Sequence, residues 1–170
     1  MDDIVLRSVA KWPNVPAVYG WLALDRRGNW LLRAPGVERF ERIGNAALRD
    51  FIARNYAADS RGCWYFQNGP QRVYVRLAYT PHVVHFDNDA LIDHCGRLFG
   101  EAEKVFLDDE GSVLIEKEGK IALLDDRDLE RFADSGERMP RISRAEAAMR
   151  FGYVAEPQPE PASNPRDSLR

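Results

Sequence analysis

Trp21-Leu22-Ala23-Leu24-Asp25-Arg26-Arg27-Gly28-Asn29-Trp30-Leu31-Leu32 sets two short apolar runs on either side of an Asp-Arg-Arg-Gly. Asp at the first position of a four-residue turn and Gly at the fourth suit a type I turn closed by a left-handed Gly, a common way to join two antiparallel strands. The pattern returns at an offset of 83 in Lys104-Val105-Phe106-Leu107-Asp108-Asp109-Glu110-Gly111-Ser112-Val113-Leu114-Ile115. At an offset of 81, residues 43–51 then align with residues 124–132, which sets Leu48 on Leu129 and Phe51 on Phe132. Each unit reads as a hairpin, a third strand and a helix, spanning about residues 20–56 and 103–134. Asn45 and Asp125 or Asp126 are placed to cap those helices of about three and two turns, which present Leu48, Phe51 and Ile52, or Leu129 and Phe132, to one side.

Working outward, a third Asp-x-x-Gly, Asp59-Ser60-Arg61-Gly62, reads as a helix-to-strand turn before Cys63-Trp64-Tyr65-Phe66. The three motifs lie 34 and 49 residues apart, and this unequal spacing argues against a propeller or solenoid. Between the units, Trp64-Tyr65-Phe66-Gln67 and Arg72-Val73-Tyr74-Val75-Arg76-Leu77 flank Asn68-Gly69, the strongest short hairpin signal. Val83-Val84-His85-Phe86 is a further strand. Ser143-Arg144-Ala145-Glu146 has capping-box spacing and predicts a short helix over residues 144–151. The expected fold class is α+β: a mainly antiparallel sheet of seven to nine strands, built from two duplicated hairpin-strand-helix units with helices on one face. Residues 1–154 are expected to form one domain. Residues 155–170 hold four of the ten prolines and one large apolar residue, Leu169, and are expected to be a disordered tail.

The 170 residues carry a net charge of −3, which argues against a generic affinity for nucleic acid, but the charge is unevenly spread. Residues 1–86 hold 12 basic and 7 acidic side chains, residues 87–170 hold 12 basic and 20 acidic, so the two halves are complementary. Opposite patches of this kind suit a partner surface or pairing with a second copy. No run approaches the ~18 apolar residues of a membrane span, and Met1-Asp2-Asp3-Ile4 does not open a signal peptide. Cys63 and Cys95 form no CxxC and read as reduced thiols. A cytoplasmic protein without a membrane partner is expected.

Candidate chemistry is sparse. His82, His85, His94 and Cys95 suggest a metal at first, but His82 and His85 fall on opposite faces of a strand, and no metal or cofactor is expected. Asp87-Asn88-Asp89 starts like a calcium loop and fails at Leu91 and Ile92, where the loop needs an oxygen ligand and a glycine. No GxSxG, P-loop, GxGxxG or HExxH occurs, and no catalytic residue is assigned. The best contact surface is the hairpin: Arg72, Tyr74 and Arg76 share one strand face, with Trp64 on the neighbouring strand and Asn68 and Gln71 at its turn. Such a face can stack bases or bind an anion, although the glycine and phenylalanine positions of an RNA-recognition motif are missing.

Trp12-Pro13-Asn14-Val15-Pro16-Ala17-Val18-Tyr19-Gly20-Trp21-Leu22 and Trp64-Tyr65-Phe66-Gln67-Asn68-Gly69-Pro70-Gln71-Arg72-Val73 resemble a proteobacterial family of small cytoplasmic proteins of unknown function. The resemblance covers about residues 10–135 and implies a bacterial cytoplasmic domain with no transferred mechanism.

The leading expectation is a non-enzymatic protein-interaction or regulatory module that binds a protein partner or a copy of itself. The alternative is a small-molecule sensor or enzyme for an anionic ligand, with Arg72, Arg76 and His94 contributing to a site between the two units. Changing Arg72 and Tyr74 together to Ala is expected to abolish capture with little loss of stability.

Overall fold

A computed structural model describes residues 1–159. After helix α1 (Asp3–Lys11), the chain forms β1 (Val18–Leu24), β2 (Trp30–Leu32), β3 (Glu41–Arg42), helix α2 (Ala46–Arg54), β4 (Tyr56–Ala58), β5 (Trp64–Asn68) and β6 (Gln71–Leu77). It continues through β7 (His82–Asp87), β8 (Ala90–Asp93), β9 (Lys104–Leu107), β10 (Val113–Lys117), β11 (Lys120–Leu124), a 3-10 helix (Asp126–Arg138) and α3 (Arg144–Phe151). The fold is α+β, with two mixed sheets ordered β3-β2-β1-β6-β5-β4 and β8-β7-β11-β10-β9. Among the described residues, eleven strands in two sheets thus replace the expected single sheet of seven to nine. The reason is the core: side chains of both sheets, among them Leu22, Val75, Leu114 and Leu123, meet in one cluster that a single sheet with helices on one face does not provide.

The two sheets are similarly built. In each, the first strand lies parallel to the last, β1 against β6 and β7 against β11, while every other neighbour is antiparallel. The meanders β4-β5-β6 and β9-β10-β11 correspond at an offset of 49: Asp59 matches Asp108, Gly62 matches Gly111, and the cross-strand pair Phe66–Val73 matches Ile115–Ala122. The hairpin-strand-helix segments that align in the sequence are both present but differ in placement. β3 ends its sheet, whereas β11 is flanked by β7 and β10.

Aspartate builds the turns. In Asp25–Gly28, Asp59–Gly62, Asp93–Gly96 and Asp108–Gly111, the Asp Oδ1 accepts from the backbone N–H groups two and four residues on, at 2.6–2.9 Å. The Gly N–H closes onto the Asp carbonyl, and the four glycines hold φ between +75° and +82°, where a Cβ is disfavoured. Asp59 joins β4 to β5 and is a hairpin turn, not the expected helix-to-strand turn, because Tyr56–Ala58 already pair with residues 64–66. The fourth turn is hidden in the sequence by His94 and Cys95 at its centre, which draw attention to metal binding instead.

The second sheet is buried on both faces: Leu114, Ile121 and Leu123 enter the inter-sheet core, and Val113, Ile115 and Ala122 enter a second cluster that includes Leu129 and Phe132 of the 3-10 helix. Asp125 caps that helix by accepting from Arg127 N–H, in 3-10 rather than the expected α geometry. Asn45 caps α2, and Ser143 with Glu146 completes the capping box of α3, which docks through the fully buried Ala147.

Residues 155–159, expected to belong to a disordered tail, are instead laid along the first sheet. Tyr153 anchors them in the core, Val154 bridges to Cys63, Leu77 N–H donates to Ala155 O at 2.8 Å, and Arg76 pairs with Glu156 at 2.7 Å. Proline-rich composition predicts chain without a core of its own, and here the core is borrowed from the sheet. The rest of the expected tail, residues 160–170, lies outside the described residues.

Candidate functional site

On β6 the side chains alternate: Val73, Val75 and Leu77 enter the inter-sheet core, and Arg72, Tyr74 and Arg76 face the other way. That outer face is an aromatic and cationic surface. The rings of Tyr19 and Tyr74 stack at 4.6 Å with an interplanar angle of 11°, and the Arg72 guanidinium lies 4.6 Å from the Tyr65 ring. Tyr74 is only 4% exposed; its hydroxyl donates to Asp59 Oδ2 at 2.9 Å and accepts from Arg61 at 3.2 Å. Burial and the Asp59 carboxylate hold the Tyr74 hydroxyl above its ordinary pKa. Beside this cluster, a hollow of about 410 Å³ is lined by Tyr19, Arg33, Tyr74, Arg76, Glu156 and Pro157.

The remaining sequence-predicted residues are elsewhere. Trp64 lies on the opposite face of the sheet, against Tyr56 at 4.7 Å and His82 at 4.9 Å between ring centroids. His94 joins the same aromatic cluster, 5.2 Å from Trp30 and 5.5 Å from Tyr56. Burial drives the His94 pKa well below its ordinary value of 6.5, so the ring is neutral, and Val83 N–H donates to its Nδ1 at 3.3 Å. Asn68 is exposed at the hairpin turn, and Gln71 donates to Pro16 O at 3.2 Å. The structure therefore brings Arg72, Tyr74 and Arg76 together, and Trp64 and His94 together, on different sides of the first sheet. Tyr74→Ala is expected to lower stability, where the sequence alone led to an expectation of little loss, because the ring and hydroxyl are both buried.

Tyr19, Arg33 and Arg61 escaped sequence reasoning. Arg61 was findable: it is the third residue of an Asp-x-x-Gly turn, whose geometry directs it back along the sheet. Tyr19 was not, because the parallel pairing of β1 with β6 is invisible to local pattern.

The junction expected to hold an anion contains a cleft of about 540 Å³ lined by Arg26, Arg27, Glu110, Ser112, Asp126 and Leu129. Arg72, Arg76 and His94 do not line it. Its arginines are engaged within the chain: Arg26 with Glu110 at 3.2 Å and Ser112 Oγ at 2.6 Å, and Arg27 with Asp126 at 2.7 Å. Part of the charge complementarity between the two halves is thus spent inside the molecule.

Among the described residues, no group of three or more His, Cys, Asp or Glu side chains is placed to hold a metal ion. His82 and His94 ring centroids are 6.3 Å apart, and burial pushes the Cys95 thiol up to about 12. Both cysteines are free thiols. No described helix is long and apolar enough to cross a membrane.

A family model, DUF2944, described as "Protein of unknown function (DUF2946)", matches residues 1–158. No curated protein matches the chain. Among solved structures, a DUF1285 family protein from Silicibacter pomeroyi DSS-3 is 18% identical, with a TM-score of 0.49, over 74% of this chain and 74% of that one. A DUF1285 family protein from Shewanella baltica OS155 is 15% identical, with a TM-score of 0.47, over 66% of this chain and 90% of that one.

Proposed function

The chain belongs to the DUF2944 family, a family of unknown function, and from that premise we propose that it is a non-enzymatic protein-interaction module whose outer sheet face takes an acidic, proline-containing extended peptide. The observation that carries this reading is the seating of the chain's own Glu156-Pro157 on that face. The contact combines three ingredients of peptide recognition. Leu77 N–H donates to the peptide carbonyl of Ala155, Arg76 holds the Glu156 carboxylate, and Pro157 is buried in the hollow bordered by Tyr19 and Tyr74. A proline-rich strand is already extended and loses little conformational freedom when it binds. Arg33 and Arg72 add positive charge, so the face favours acidic over basic peptides.

We further read residues 1–154 as one domain built on a duplicated unit and acting in a bacterial cytoplasm, with residues 155–159 supplying the peptide in cis. The same chemistry can reach the face from another protein or from the tail of a second copy.

The test is a titration of the full chain with a synthetic Glu-Pro-Gln-Pro-Glu-Pro peptide, followed by NMR shifts at Tyr19, Tyr74 and Arg76. Saturable shifts are expected, at least threefold tighter in Glu156→Ala, which frees Arg76, weaker as salt rises, and lost in Arg76→Glu. A peptide that perturbs none of these signals in either background overturns the reading. Sedimentation at rising concentration separates the sources: self-association abolished by Glu156→Ala assigns the peptide to a second copy, and a monomer throughout excludes a second copy as its source.

A further inference from the structure

The hollow on the outer face of the first sheet holds a cation to which the described residues bring no acid. Arg76 is paired with Glu156, and Arg61 with Asp59. Arg72 lies against the Tyr65 ring and does not border the hollow. Arg33 does border it; its guanidinium rests on the Phe40 ring at 5.0 Å, and no carboxylate among the described residues stands at ion-pair distance. A Cβ at Gly20 would come within 2.8 Å of Arg33 Nη2, so the missing side chain on β1 makes room for the guanidinium. Gln158 and Pro159, where the described segment ends, border the same hollow as Arg33.

Strand pairing fixes how far Arg33 stands from Arg76. Arg76 on β6 lies beside Ala23 on β1, and Ala23 beside Leu31 on β2. Arg33 follows Leu31 by two residues and continues the pairing, its N–H donating to Trp21 O at 2.8 Å. Two inter-strand steps are about 10 Å and two residues along a strand about 7 Å, so the two backbone positions lie about 12 Å apart on the diagonal. An extended proline-rich chain advances about 3.1 Å per residue, so four residues of it also span about 12 Å.

Taking this face as a peptide site, as proposed above, we infer that it reads two carboxylates: Arg76 takes the first, and Arg33 takes a second, four residues further on, beyond the proline that fills the hollow. The partner class narrows from acidic, proline-containing peptides in general to those of the pattern Glu-Pro-x-Pro-Glu. The chain's own sequence has that pattern at residues 156–160, of which Glu160 lies outside the described residues. A carboxylate brought to the Arg33 guanidinium makes charge-assisted hydrogen bonds with its planar fork. The Phe40 ring already restrains that fork, so little freedom is lost on binding.

The full chain carrying Glu156→Ala and Glu160→Gln, in which neither carboxylate of its own competes, is titrated with three peptides while the Arg33 and Arg76 guanidinium N–H signals are followed by NMR. Glu-Pro-Gln-Pro-Glu-Pro is expected to bind at least threefold tighter than Glu-Pro-Gln-Pro-Gln-Pro. It is expected to exceed Glu-Pro-Glu-Pro-Gln-Pro by the same factor, although that peptide has identical composition and charge, because its second carboxylate is displaced by only about 6 Å. Arg33→Gln, which gives up the contact with Phe40, is expected to bring the first peptide down to the affinity of the second and to change the second less than twofold. Equal binding of the first and third peptides overturns the inference, as does discrimination that survives Arg33→Gln. Inorganic phosphate that saturates Arg33 while the three peptides bind alike assigns this cation to a free anion and likewise overturns it. Binding of all three peptides through Arg76 alone sinks only the second carboxylate and leaves the peptide reading standing, whereas no binding of any peptide sinks both.

Discussion

Gly62 and Gly111 occupy the same place in corresponding turns, with φ of +77° and +82°, yet their surroundings differ completely. A Cβ at Gly111 meets nothing within 4 Å, whereas a Cβ at Gly62 falls 2.0 Å from the carbonyl oxygen of Gly152. Gly111→Ala is therefore expected to cost only the left-handed backbone penalty of about 1–2 kcal/mol. Gly62→Ala adds a backbone clash that displaces residues 152–155, and is expected to cost at least about 2 kcal/mol more, read as a larger drop in urea midpoint. Equal losses in the two variants would contradict the packing of the C-terminal segment against this turn. The Asp-x-x-Gly pattern was legible in the sequence because its hydrogen bonds are local. Which glycine touches another part of the chain was not, since Gly152 lies 90 residues away.

At the scale of elements, the caps were readable and the helix type was not. Asn45, Asp125 and Ser143 each accept from an N–H in the first turn of their helix, as residue chemistry dictates. The segment after Asp125 becomes a 3-10 helix with Leu129 and Phe132 against the second sheet, a packing choice that intrinsic propensity does not fix. Its cap has a pH signature. The Arg127 guanidinium, hydrogen-bonded to Asp125, lowers that carboxyl from 3.8 to about 2. A carboxyl whose folded pKa is depressed contributes stability that is complete above about pH 4 and lost as pH falls through about 2. Asp125→Asn is expected to lower stability at pH 7 and to flatten the decline between pH 4 and 2, measured by urea unfolding at several pH values. A decline of unchanged slope would show that Asp125 does not titrate with folding.

For the molecule as a whole, burial outweighs charge in joining the sheets. Arg27 and Asp126 reach across the junction, but their side chains are 61% and 54% exposed, and exposed ion pairs contribute little. Leu114 is fully buried between the sheets. Leu114→Ala is expected to destabilise by about 2–5 kcal/mol, while Arg27→Ala leaves the urea midpoint within error of wild type. Comparable effects from the two would mean that the junction is electrostatic. Of the candidate sites, the Arg72-Tyr74-Arg76 face was legible because residues two apart on a strand share a side. Its partners Tyr19 and Glu156 were not, because each reaches the face through contacts distant in sequence.

By itself the sequence determined the parts: the α+β class, the turns at Asp25 and Asp108, the caps, the hairpin of β5 and β6, and the alternation that separates Val73 and Val75 from Arg72, Tyr74 and Arg76. These follow from interactions within a few residues, whose energies depend little on the rest of the chain. Only the tertiary structure decided that there are two sheets, that each is joined internally by a parallel pair, and that residues 155–159 lie on the first. It also decided that Trp64 and Tyr74, neighbours on paired strands, serve different faces. Parallel pairing and sheet-on-sheet burial join residues dozens of positions apart, and no local turn or periodicity records which apolar face finds which.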